Sequence, residues 1–77
     1  MKERLTPVQR RVLTLMREHG TAQFIGGTRE FWHEATPQGL FIHAYQMPEY
    51  FLRERGLIEP TGLPPWYRLT DKGAGSL

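Results

Sequence analysis

The chain has 77 residues and a mass of 9.0 kDa, with 39% apolar and 12% aromatic side chains. That is enough for one domain around one modest core and too little for a second. It contains no cysteine, which excludes a disulfide framework and any thiolate metal site and is expected of a cytoplasmic protein. The net charge is only +2, but Lys2, Arg4, Arg10, Arg11 and Arg17 face Glu3 and Glu18 alone in the first nineteen residues, a mild pointer toward nucleic acid.

Thr6-Pro7-Val8-Gln9 opens the first element with an N-cap hydroxyl, a proline at the first helical position and a glutamine placed to close a capping box. A helix is predicted from Pro7 to about His19. Leu5, Val8, Val12, Leu15 and Met16 share one face, Arg10, Thr14 and Arg17 lie opposite, and Gly20 supplies the stop. Ala22-Gln23-Phe24-Ile25 suits a short strand or an inward-tucked loop, broken by Gly26-Gly27.

Two readings fit the middle of the chain. Thr28 is placed to cap a second helix over Arg29 to Ala35, with Phe31, Trp32 and Ala35 as its apolar side, and this is the preferred reading. The rival is a hairpin, with strands over Phe31 to Ala35 and Leu40 to Tyr45 joined by Thr36-Pro37-Gln38-Gly39.

Pro48 starts a further helix reaching Arg55 and ended by Gly56. Leu57-Ile58-Glu59 and Trp66 to Thr70 are predicted strands around a proline-rich turn, and alternation separates Tyr67 and Leu69 from Trp66 and Arg68. Leu15, Phe51, Leu52, Ile58 and Leu69 are expected to be buried together. All of this is expected of one domain over residues 1–77, with 1–5 and 74–77 flexible.

Leu52-Arg53-Glu54-Arg55-Gly56-Leu57-Ile58-Glu59, followed after a turn by Tyr67-Arg68-Leu69-Thr70-Asp71-Lys72-Gly73, resembles a winged helix-turn-helix domain. The first segment is similar to the end of that family's recognition helix entering the first wing strand, and the second to the returning wing strand. The resemblance implies an α+β fold of three helices plus a two- or three-stranded wing sheet, and binding of double-stranded DNA in transcription regulation. It departs from the pattern at the wing tip, which has no Lys or Arg, and in the shortness of the helix that would enter the groove.

On that reading Gln46, Glu49, Tyr50 and Arg53 face base edges, while Arg10, Arg11, Arg17 and Arg68 contact phosphate. The competing reading is a non-enzymatic protein-interaction module that presents Tyr45, Tyr50 and Trp66 with the proline-lined turn. No cofactor and no metal is expected. His33-Glu34 lacks a second histidine at ligand spacing, and in the hairpin His33 and His43 are diagonal neighbours without a third ligand. The one serine is Ser76 and the one aspartate, Asp71, reads as a helix cap, so no catalytic constellation is recognised.

Overall fold

The computed structural model describes residues 4–25, 31–43 and 48–77. Its first element, α1 (Pro7–His19), begins as the sequence dictates. The Thr6 hydroxyl accepts from the Gln9 backbone N–H at 3.1 Å while the Gln9 side chain accepts from the Thr6 N–H at 3.1 Å, so two donors at the helix start are satisfied reciprocally. Gly20, at φ 93°, ends the helix and donates its N–H to the Met16 carbonyl.

Five strands follow in one sheet: β1 (Ala22–Ile25), β2 (Trp32–Thr36), β3 (Gly39–His43), β4 (Ile58–Pro60) and β5 (Trp66–Leu69), with α2 (Pro48–Glu54) and α3 (Asp71–Gly75) after β3 and β5. The spatial order is β2-β3-β1-β5-β4. β1 is the keystone, parallel to β3 on one side and antiparallel to β5 on the other. It joins the β2–β3 hairpin and the β4–β5 hairpin into a single surface.

This five-stranded mixed sheet overturns the winged helix-turn-helix expectation, which allowed two or three strands. The preferred second helix is absent: residues 32–35 lie in β2, and the remainder of the predicted span falls outside the described residues apart from Phe31. The apolar spacing of Phe31, Trp32 and Ala35 satisfied a helix locally, but the turn chemistry decides against it. The Thr36 hydroxyl accepts from the Gln38 and Gly39 N–H groups, each at 3.2 Å, and donates to the Gly39 carbonyl at 2.8 Å, so it fastens a two-residue hairpin turn. Pairing of β3 with β1 then holds the hairpin in the sheet, a non-local contact that no window of sequence reveals.

All three helices pack on one side of the sheet. Val12, Leu13, Leu15 and Met16 of α1 meet Ala22, Leu40, Ile42 and Ile58 of the strands with Leu52 and Leu57 in a single buried cluster. Leu69, expected inside the cluster, is partly buried at its margin, and Phe51 does not join it and is 48% exposed. The reason is helical spacing: α2 is seven residues long and turns Leu52 inward, which leaves its neighbour outward. Val8 is likewise exposed, and Leu13, outside the predicted apolar face of α1, is fully buried.

The C-terminal helix starts on a side-chain cap. Thr70, not Asp71, is the N-cap of α3, its hydroxyl accepting from the Gly73 N–H at 3.0 Å and donating to the Gly56 carbonyl at 2.6 Å. Gly73 is buried against the Leu57 backbone. No helix among the described residues is long and apolar enough to cross a membrane.

Candidate functional site

Strand alternation divides the sheet into two unlike faces. Ala22, Phe24, Leu40, Ile42, Tyr67 and Leu69 point toward the helices and the core. Register places Gln23, Ile25, Trp32, Glu34, Phe41, His43, Trp66 and Arg68 on the other side, which no helix covers among the described residues.

That open face is paved with rings. Trp32 and His43, opposite each other on β2 and β3, stack edge to face with centroids 4.4 Å apart. Phe41 and Trp66 do the same at 5.5 Å, bridging the intervening strand β1. Trp32 is 50% exposed and Ile25 is 36% exposed. Among the described residues, charge on the face is sparse and leans acidic. Glu34 sits on β2, while the Arg68 guanidinium is engaged by Glu59 at 3.2 Å.

A second feature lies on the helix side, where α2 meets β5. Phe24, Glu49, Tyr50, Arg53, Pro65 and Tyr67 line an open cleft of about 480 Å³. Phe24 and Tyr67 are edge to face at 5.6 Å, and Arg53 Nη1 donates to the Tyr67 hydroxyl at 3.3 Å. Partial burial raises the Glu49 carboxyl above the usual carboxylate range, and the Arg53 guanidinium one turn later pulls it partway back.

The residues expected to contact DNA are thereby dispersed. Glu49, Tyr50 and Arg53 are brought together, but in the cleft. Gln46 and Tyr45 lie outside the described residues. Arg10 and Arg17 are exposed on α1, on its side away from the buried residues. Arg11 lies 5.5 Å from the centre of the Phe31 ring, a cation–π contact that ties it to the hairpin margin. Arg68, by contrast, is on the opposite face of the sheet, beside Trp66 as alternation predicted.

His33 and His43 are not diagonal neighbours on one surface. They occupy adjacent cross-strand pairs, His33 with Ile42 and His43 with Trp32, so they point to opposite faces. No cluster of three His, Asp or Glu side chains suited to a metal ion occurs among the described residues. Ser76 is buried and donates its hydroxyl to the Lys72 carbonyl at 2.9 Å.

Sequence reasoning found Trp66 but missed its partners Trp32, Phe41 and His43. Their signal was the alternation in Phe41-Ile42-His43, which sets two rings on one side of a strand and forms a surface with Trp32 only when the hairpin is preferred over the helix. Compared with known proteins, the chain matches no family model, no curated protein and no solved structure.

Proposed function

We propose that this chain is a non-catalytic protein-binding module whose contact surface is the open face of the sheet. The observation that carries the reading is the ring pavement of Trp32, His43, Phe41 and Trp66 on a face that no helix covers among the described residues. Aromatic side chains concentrated on one accessible patch are the usual anchors of protein interfaces, because each buries a large area at little cost in side-chain entropy. The acidic lean of the face, from Glu34 once Glu59 and Arg68 are paired, favours a partner with apolar side chains rimmed by Lys or Arg and disfavours phosphate.

Duplex DNA is the other occupant the sequence raises, supported by the exposed Arg10 and Arg17. Those arginines and Arg68 are on opposite sides of the domain, so they do not combine into one phosphate track. Two measurements separate the readings. Both tryptophans of the chain lie on the open face, so their emission reports its occupancy. Binding of a protein partner shifts that emission to the blue, and Trp32→Ala weakens the complex by about tenfold or more. Saturable binding of duplex DNA, with log affinity falling against log salt at a slope of about −3 to −5, would transfer the function to DNA.

A further inference from the structure

The cleft between α2 and β5 is on the other side of the sheet from the ring pavement, and its chemistry differs. Three rings, Phe24, Tyr50 and Tyr67, and the pyrrolidine of Pro65 form its walls, while Arg53 and Glu49 supply one cation and one acid from the same face of α2. We infer that this cleft is a docking groove for a proline-rich segment of another protein in polyproline II conformation, carrying one basic side chain at the Glu49 end.

Such a segment has little backbone N–H to offer but a full set of carbonyl acceptors, so its groove must be lined with rings and hydrogen-bond donors. The cleft has both. The Tyr67 hydroxyl accepts from Arg53 and keeps its own proton to donate outward. The Tyr50 hydroxyl makes no hydrogen bond among the described residues, on a side chain that is 55% exposed, and the Arg53 guanidinium has further N–H groups beyond the one spent on Tyr67.

Charge complementarity fixes the rest of the occupant. A strongly anionic chain meets Glu49 and a strongly cationic one meets Arg53, whereas an uncharged proline stretch with a single Arg or Lys satisfies the carboxylate and leaves Arg53 for carbonyls. The volume of about 480 Å³ is that of a site for a short stretch of chain rather than a whole domain face. A polyproline II ligand is also ordered before it binds, so a shallow cleft suffices.

The test uses the full chain and synthetic nine-residue peptides rich in proline with one arginine at either end, followed by the NMR shifts of the Tyr50 and Tyr67 rings. Saturable binding is expected for one of these peptides, weakened about tenfold or more by Tyr50→Ala and severalfold by Glu49→Gln or by glutamate in place of the peptide arginine. Trp32→Ala, on the opposite face, leaves it unchanged, which keeps this site distinct from the sheet-face interface. Thermal unfolding of Tyr50→Ala confirms that the variant is folded, as its exposure predicts. Absence of saturable binding at millimolar peptide, equal binding when alanine replaces every proline, or displacement of the same ring shifts by a single-stranded oligonucleotide overturns the proposal.

Discussion

Gly39 of β3 and Trp66 of β5 depend on each other across the strand between them. A Cβ at Gly39 would lie 2.7 Å from Cζ3 of the indole and 2.9 Å from the Thr21 hydroxyl oxygen, on a backbone with φ of 147°. The glycine therefore serves the hairpin and the ring pavement at once: its positive φ completes the turn, and its missing side chain lets the indole lie across β1 toward Phe41. Gly39→Ala should cost about 1–3 kcal/mol and move the indole, read as a lowered unfolding midpoint together with a changed tryptophan emission maximum. A wild-type midpoint would mean that the turn tolerates a side chain there.

Gly73 and Gly75 make a matched pair in the same short helix. A Cβ at Gly73 collides with the Leu57 carbonyl and lies 2.9 Å from Leu69 Cδ1, whereas nothing lies within 4 Å of one at Gly75. Gly73→Ala should lose about 2 kcal/mol or more because the obstruction is backbone that cannot rotate aside. Gly75→Ala should be neutral or stabilise by up to about 1 kcal/mol, since it restricts only the unfolded chain. Denaturant midpoints of the two variants decide it, and equal effects would contradict the packing of α3 on Leu57.

Leu52 and Phe51 are neighbours with opposite fates. Leu52 is fully buried in the cluster with α1 and the strands, so Leu52→Ala should cost about 2–5 kcal/mol and largely unfold so small a domain. Phe51 is 48% exposed and its ring meets Tyr50 at 5.6 Å, so Phe51→Ala should cost about 1 kcal/mol or less. Comparable losses at the two positions would show that α2 is rotated from the orientation described.

The contrast between these two residues indicates how far the sequence can be read. The ends of α1, the inward Tyr67 and Leu69, and the two strands after Gly56 follow from caps, glycine stops and alternation, all local signals. What escaped was the joining of distant parts. β1 is only four residues long and its pairing to β3 and β5 is unmarked in its composition, yet it converts two hairpins into a five-stranded sheet. The winged-helix likeness of residues 52–73 rested on a helix–glycine–strand grammar that many small α+β domains share, so it located α2 and the β4–β5 hairpin without fixing the architecture around them. The candidate site was legible at Trp66 and at Glu49, Tyr50 and Arg53, and illegible at Trp32 and His43, because a helix reading scatters the rings that a strand aligns.

Glu49 gives a pH signature. Its carboxyl is held above its ordinary range by burial, so the folded protein binds that proton more tightly than the unfolded chain does. Stability contributed by this group is full below the unfolded value and falls as pH rises through the folded value. Glu49→Gln should therefore raise the unfolding midpoint at neutral pH, with the advantage disappearing in acid where the wild-type carboxyl is protonated. Arg53→Gln should widen the pH range of the effect by removing the opposing guanidinium. An advantage that persisted unchanged in acid would contradict the assignment to ionisation.

The most direct measurement of the central claim is site-specific photo-crosslinking in living cells of the source, with a benzophenone side chain placed at position 25 on the open face or at position 10 on α1. Ile25 is exposed on the sheet face beside the rings and Arg10 is exposed on the basic side of the helix, so each position samples one candidate surface without removing a ring of the pavement or disturbing the core. A discrete protein adduct from position 25 that is lost when Trp66→Ala is added, with none from position 10, is the predicted result. Nucleic-acid adducts from position 10, with no protein adduct from position 25, would contradict it.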